Sequence, residues 1–207
     1  MFKVVASMRR RSSHLTANHA DVGKRDRGAI FVEFAFLLPK GEDWKVRFAD
    51  WHNCRTPDHP TGGRVAATGR GVFVVGREAM RRLNIDMEGA RVAVQGFGNV
   101  GSVSAALIAQ LGAKVVAVTD WKGGVYNAKG LDVPALIEWT AQHKTVAGFP
   151  GAEPLAADKI FGLDVDIFVP AALENQITDV TAPQIKAKIV AEGANGPTTP
   201  DAHQSLY

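Results

Sequence analysis

The stretch Arg91–Gly101, RVAVQGFGNVG, decides the fold of this chain. Its first five residues are rich in β-branched and small apolar side chains and predict a buried strand. Gly96, Gly98 and Gly101 follow in the pattern G-x-G-x-x-G, and Gly98–Leu111 repeats apolar residues at helical spacing. A glycine-rich turn between a strand and a helix is typical of a backbone that approaches a phosphate group closely.

Each glycine of this turn has its own predicted task. Gly96 allows the tight turn, Gly98 lets the backbone approach a pyrophosphate, and Gly101 lets the helix pack close to the strand. A second predicted strand, Lys114–Thr119, leads into Asp120, whose carboxylate can accept hydrogen bonds from an adenosine ribose. That carboxylate repels a 2′-phosphate, so the sequence favours NAD over NADP. The alternative is a plain strand–turn–helix in which Asp120 is only a turn residue.

Strands and helices alternate through the rest of the chain. Strands with apolar residues on both faces, separated by helices, predict an α/β fold with a doubly wound, mostly parallel sheet and helices on both faces. Besides the elements above, we expect helices at Gly71–Leu83, Val133–Lys144 and near Thr181–Ala187, and strands at Asp164–Pro170 and Lys188–Glu192.

Composition excludes several classes of protein. The chain is 46% hydrophobic and 22% charged, which is typical of a globular protein. Its single cysteine, Cys54, excludes a disulfide scaffold, and irregularly spaced histidines predict no metal site. Residues 1–60 carry 11 Lys and Arg against 7 Asp and Glu, so the net charge of +3 arises there.

No apolar run reaches the roughly 18 residues of a membrane span. We expect no nucleic-acid partner, no membrane and a cytoplasmic location.

Five motifs follow one another in a fixed order, at Ala67–Val72, Glu88–Gly101, Thr119–Asn127, Ile167–Ile177 and Ala191–Pro200. Together they resemble the signatures of the glutamate/leucine/phenylalanine/valine dehydrogenase family. The resemblance implies a Rossmann-type fold and a homo-hexameric oxidoreductase. Such an enzyme deaminates an L-amino acid, with L-glutamate favoured, to a 2-oxo acid and ammonia while a nicotinamide accepts hydride.

The resemblance also implies roles for eleven residues in coenzyme binding. Thr68 and Asn195 would hydrogen-bond to the nicotinamide carboxamide or its ribose, and Asp120 to the adenosine ribose. Ala171 and Ala172 would line the crevice. The pyrophosphate would lie at the turn formed by Gly96, Phe97, Gly98, Asn99, Val100 and Gly101.

The sequence departs from the family in three respects. Residues 1–66 contain neither the family's lysine-bearing motif nor its aspartate motif, so no catalytic residue is predicted. Trp121 stands where we expect a small residue, and it would narrow the adenosine pocket. The chain ends at Tyr207, before the family's next strand. We therefore expect an NAD-binding domain over residues 64–207 that is truncated at its C-terminus and has an unpaired sheet edge.

Residues 1–63 form a segment outside the family resemblance. Their composition predicts irregular or partly disordered chain with little stable structure. A basic stretch followed by the apolar run Ala29–Leu38 resembles a signal-type segment, a transit peptide or the start of a TadE-type pilus-assembly protein. A gene fusion, a shifted frame or a mispredicted start is the preferred alternative. Three functions stay open: an amino-acid dehydrogenase, a nucleotide-binding fragment without turnover, and a non-functional chimeric reading frame.

Overall fold

The computed structural model describes the backbone of residues 2–9, 31–37, 43–46 and 62–206, with side chains from 66 to 202 and at 206. Cys54 and the basic stretch after Arg9 lie outside these residues. The strands, in chain order, are β1 (Phe2–Arg9), β2 (Phe31–Leu37), β3 (Asp43–Val46), β4 (Arg91–Gln95), β5 (Lys114–Thr119), β6 (Gly124–Tyr126), β7 (Glu153–Leu155), β8 (Ile167–Pro170) and β9 (Ile189–Glu192).

These nine strands form one sheet in the order β3-β2-β1-β9-β8-β4-β5-β6-β7. Its centre is parallel, because β4 pairs with β5 and β8, and β8 pairs with β9, all in parallel. The short strands β6 and β7 extend one side in antiparallel pairing. The predicted doubly wound, mostly parallel sheet is therefore confirmed.

Both faces of the central strands β4, β5, β8 and β9 are buried against other elements. The described helices are α1 (Gly62–Arg82), α2 (Asn99–Ala109), α3 (Val133–His143) and α4 (Pro200–Ser205). Val92 and Val94 belong to a core shared with α1, α2 and α3, whereas Ala93 belongs to a core on the opposite face. Two 3₁₀ turns, at Ala157–Gly162 and Ala182–Gln184, pack on that second face. This alternation explains why the interior positions of these strands are apolar on both faces.

Two predicted helices differ from the structure. The sequence predicts a helix from Gly71, but α1 begins nine residues earlier, at Gly62. Glycine has a low helix propensity, so the glycines in this stretch made the start of the helix hard to predict. Gly69 is needed for packing, because a Cβ built on it would lie 2.7 Å from the Cβ of Val103 in α2. The helix expected near Thr181–Ala187 is only the 3₁₀ turn at Ala182–Gln184.

The sheet edge expected at β9 is paired, which corrects the sequence-based expectation. β1 runs parallel to β9, with Phe2 opposite Ile189 and Val5 opposite Glu192. β2, which holds most of the apolar run Ala29–Leu38, pairs antiparallel with β1, and β3 follows it. Local periodicity does not reveal which strands pair across long sequence separations, so the sequence could not show this arrangement.

Asp166 ties three strands together just before β8. Its carboxylate accepts hydrogen bonds from the Arg91 backbone N–H at 2.9 Å and from the Lys188 ammonium at 2.7 Å. Burial by itself raises the pKa of Asp166, but these two donors outweigh burial and hold that pKa below its usual value. The same contact raises the pKa of Lys188.

Candidate coenzyme site

The turn after β4 packs directly against the turn after β8. Gly96 has φ of +88°, and a Cβ there would lie 2.6 Å from the Cα of Ala172 and 2.7 Å from the carbonyl oxygen of Ala171. The Ala171 N–H also donates to the Gln95 carbonyl oxygen at 2.7 Å. A Cβ on Gly101 would overlap the carbonyl oxygen of Gly96. The positive φ of Gly96 agrees with the predicted tight turn, and the contacts of Gly101 with the predicted close packing of helix on strand, whereas the approach of Gly96 to the turn after β8 was not predicted.

Gly98 differs from these two glycines because it faces open space. It is exposed, and a Cβ built on it would meet no atom within 4 Å. Gly98 is the N-cap of α2, makes no side-chain capping bond, and is followed by a first turn without acidic residues. The first N–H groups of a helix point out of its start and attract anions. Open space at an uncapped helix start fits the pyrophosphate of a dinucleotide.

Asp120 lies one strand away from this turn. The Gly96 N–H donates to the Thr119 carbonyl oxygen at 2.8 Å, which joins the ends of β4 and β5. The Asp120 carboxylate is half-buried and accepts the backbone N–H of Lys122 at 2.8 Å and that of Val146 at 2.7 Å. Each carboxylate oxygen has two acceptor sites, so the group can still accept ribose hydroxyls.

Gly193 joins the remaining parts of the site. A Cβ built on it would lie 2.9 Å from Val100 Cγ1, 3.2 Å from Ala171 Cβ and 3.3 Å from Val72 Cγ2. This glycine thus brings α1, α2 and the turns after β8 and β9 together. Thr68 lies on α1 one turn before Val72, and Asn195 lies two residues after Gly193.

The structure therefore brings the predicted site residues to one edge of the sheet. We call this edge, formed by the turns after β4, β5, β8 and β9, the crevice. Its rim is accessible and its floor is buried. Gly96 and Gly101 are buried; Thr68, Phe97, Val100, Asp120 and Ala171 are half-buried; Gly98, Asn99, Ala172 and Asn195 are exposed. What each residue contacts in a bound coenzyme stays a prediction.

Two buried polar groups at the crevice are absent from the sequence-based site. Glu192, 3% exposed, accepts a hydrogen bond from the Thr198 hydroxyl. Gln95, 7% exposed, donates to Gln176 at 3.3 Å, and its own side-chain oxygen has no partner among the described residues. Each follows the apolar run of its strand, and a polar residue directly after such a run was the sequence signal for both.

An open cavity of about 560 Å³ lies elsewhere, beside α3. Its lining includes Asn127, Trp139 and Phe149, but none of the eleven predicted site residues. Within the described ranges, no group of three or more His, Cys, Asp and Glu side chains could hold a metal ion. No helix in the described part of the chain is long and apolar enough to cross a membrane.

A doubly wound sheet with a glycine turn at its switch point and an acidic residue just after the next strand is the arrangement of a Rossmann-type dinucleotide-binding domain. Residues 61–207 match the family model described as Glutamate/Leucine/Phenylalanine/Valine dehydrogenase. The chain belongs to this family of oxidoreductases.

Individual relatives agree with this assignment. Glutamate dehydrogenase of Thermotoga maritima is 55% identical over 145 residues, 70% of this chain and 35% of the relative. An NAD-specific glutamate dehydrogenase of Clostridioides difficile is 48% identical, over 69% of this chain and 35% of the relative. An NADP-specific glutamate dehydrogenase of Halobacterium salinarum is also 48% identical, over 70% and 35%.

A solved structure gives the same result. Hetero-hexameric glutamate dehydrogenase from Thermus thermophilus, in its leucine-bound form, has a TM-score of 0.65 and 35% identity. The match covers 70% of this chain and 34% of that one. The chain thus spans about a third of the length of the relatives it matches.

Proposed function

We propose that the crevice binds NAD and that this chain supplies the coenzyme-binding part of an amino-acid dehydrogenase, with L-glutamate the favoured substrate. One observation carries the proposal: Gly98 opens to free space at an uncapped helix start, one strand away from a half-buried carboxylate. This pairing suits a pyrophosphate joined to an adenosine ribose.

In this proposal each part of the crevice binds one part of the coenzyme. The N–H groups of Asn99, Val100 and Gly101 face the pyrophosphate, with Phe97 beside them, and Asp120 accepts the adenosine ribose hydroxyls. Thr68 and Asn195 hydrogen-bond to the nicotinamide carboxamide or its ribose, and Ala171 with Ala172 forms the wall. When bound, NAD accepts a hydride from the Cα of the amino acid. The protein residues orient the coenzyme for that transfer.

The preference for NAD over NADP rests on the charge of Asp120. A carboxylate that accepts the ribose hydroxyls repels a 2′-phosphate at the same place. The opposing feature is Lys122, which is exposed and lies two residues further on, because an ammonium group attracts phosphate. We expect Asp120 to dominate, since the 2′-hydroxyl lies next to the group that binds it.

We also propose that the chain by itself does not turn over L-glutamate. Deamination needs a base that takes a proton from the substrate amine and groups that bind the substrate carboxylate. The family motifs that would carry the catalytic lysine and aspartate do not occur in residues 1–66. The second candidate function, a nucleotide-binding protein without turnover, predicts the same result for the pure chain. Homo-hexamer formation and a cytoplasmic location remain predictions. Sedimentation velocity tests whether the chain forms a hexamer.

Calorimetric titration of the full chain with NAD and with NADP tests the proposal. We expect NAD to bind more tightly than NADP, and Gly98→Trp to abolish both. An affinity that is unchanged in Gly98→Trp would place the nucleotide elsewhere. Production of NADH by the pure chain with L-glutamate would overturn the proposal that it lacks turnover.

A further inference from the structure

We propose that Trp121 is the adenine platform of the crevice, with the open face of its indole stacked on the adenine of NAD. This inference rests on the proposed function, because it assumes that the dinucleotide lies across the crevice. It assigns a binding role to an exposed aromatic residue that the proposed function leaves unused.

Exposure of the indole is the first observation. Trp121 is 82% exposed, the largest value among the exposed large hydrophobic residues in the described ranges. The others are aliphatic: Leu111 at 39%, Leu173 at 69% and Val180 at 68%. A tryptophan ring left in water is unfavourable unless a partner covers it.

The indole is also anchored. Its Nε1–H donates to the Lys144 carbonyl oxygen at 3.4 Å, across to the residue that ends α3. The turn that carries it is closed by the Asp120 N–H, which donates to the Gly123 carbonyl oxygen at 2.7 Å, and by the Lys122 N–H on the Asp120 carboxylate. One edge of the ring is thus engaged, whereas its faces stay accessible. An aromatic group held in this way loses little conformational freedom on binding.

The direction of the nucleotide places adenine beside this ring. In a nucleotide the ribose lies between the phosphate and the base. The pyrophosphate is expected at Gly98 after β4, and the ribose at Asp120 after β5. The base therefore extends further in the same direction, beyond β5, where Trp121 follows Asp120 in sequence and the loop through Val146 returns to the Asp120 carboxylate. Stacking on an aromatic face accepts the ring of adenine and leaves the ribose hydroxyls to Asp120.

The test uses the full chain and separates the two halves of the coenzyme. Binding of NAD, 5′-AMP and nicotinamide mononucleotide is measured for the unmodified chain, Trp121→Leu and Trp121→Phe. We expect Trp121→Leu to weaken NAD and 5′-AMP by about 5- to 100-fold, the range that base–aromatic stacking supports. Trp121→Phe keeps an aromatic face and should stay within about threefold, because stacking tolerates a change of ring. Nicotinamide mononucleotide should bind equally to all three.

Intrinsic fluorescence provides a second readout. 5′-AMP should quench the tryptophan emission of the unmodified chain and of the control Trp139→Phe, which replaces a half-buried indole in the lining of the cavity beside α3. The quenching should be lost in Trp121→Phe.

Unchanged affinity of Trp121→Leu for 5′-AMP would overturn the adenine platform while leaving the NAD site intact. If that variant also loses self-association, a second copy of the chain covers the indole. If the unmodified chain binds neither NAD nor 5′-AMP, the proposed function itself is wrong, and the platform is wrong with it.

Discussion

The carboxylate of Asp120 accepts the backbone N–H of Val146 at 2.7 Å. The group expected to bind the adenosine ribose therefore also connects the end of β5 to the loop that follows α3. Because Val146 is fully buried, its N–H depends on the Asp120 carboxylate as its hydrogen-bond acceptor. Ribose binding and the order of this loop thus depend on one side chain.

Asp120→Asn should weaken both the binding of the coenzyme and the anchoring of the loop that follows α3. In asparagine an NH₂ group replaces one of the two carboxylate oxygens, so the side chain no longer accepts both backbone N–H groups. The substitution also removes the negative charge. We expect a loss of stability of about 1–3 kcal/mol and NAD binding weaker by about 10- to 100-fold. Urea unfolding and calorimetry measure the two effects.

Asp132→Ala is the matched control for that substitution. It removes the N-cap of α3, whose carboxylate accepts the Ala135 N–H at 3.0 Å, at a cost of about 1 kcal/mol. NAD affinity should not change in this variant. Equal loss of affinity in both variants would mean that general destabilisation, rather than the ribose contact, explains the result for Asp120.

Substitution by alanine should lower the stability of the chain at Gly96 but barely change it at Gly98. Gly96→Ala forces a side chain to φ of +88° and to 2.6 Å from the Ala172 backbone, so we expect destabilisation of at least about 2 kcal/mol. Gly98→Ala adds a methyl group in open space at φ of −81°, so stability should change by less than about 1 kcal/mol.

For Gly98→Ala the effect should instead appear in binding, with NAD affinity lower by at least about tenfold because the methyl group meets the pyrophosphate. Thermal unfolding with and without NAD separates the two effects. Normal NAD binding by a folded Gly98→Ala variant would argue against a pyrophosphate at this turn.

Asp166 should make stability dependent on pH in the acid range. Its pKa is lowered from 3.8 in the folded chain, so its contribution is complete above 3.8 and is lost as the pH falls through the folded value. Lys188 has a pKa raised from 10.5, so its contribution is complete below 10.5 and is lost as the pH rises through the folded value.

Asp166→Ala should therefore lower the free energy of unfolding by about 1.5–3 kcal/mol at pH 7, with a difference that shrinks as the pH falls below 3.8. Asp158→Ala is the control, since the Asp158 and Lys159 side chains are more than 70% exposed and such a pair contributes about 0–1 kcal/mol. A constant difference between the unmodified chain and Asp166→Ala from pH 7 to pH 2 would contradict the charge-based account.

The pairing of β1 gives a fourth prediction. Val4 lies opposite Ala191 of β9 and Phe36 of β2, so β1 is an interior strand. Val4→Pro removes a backbone donor and should lower stability by roughly 3 kcal/mol or more, whereas Val4→Thr keeps the N–H and a β-branched side chain and serves as the control. Urea unfolding at pH 7 measures both. Identical midpoints for the two variants would show that β1 contributes nothing to the sheet.

Much of the fold and site followed from local patterns. The buried strands Arg91–Gln95 and Lys114–Thr119 were predictable because a strand covered on both faces has a continuous apolar interior, here VAV and VVAV. The role of Gly96 was predictable because the motif requires a tight turn between the strand and the helix. Trp121, in contrast, looked only like an obstacle, because its bond to Lys144 joins residues 23 positions apart and no local pattern encodes it.

The sequence by itself determined the class of fold, the glycine turn and the acidic residue one strand away, because spacing and side-chain chemistry express these features locally. Only the tertiary structure decided that Gly98 faces open space, whereas Gly96 and Gly193 are packed against neighbouring turns. Tertiary structure also decided that β1 closes the edge of β9. These features depend on contacts between distant segments, and such contacts form only when the sheet has brought its strands together.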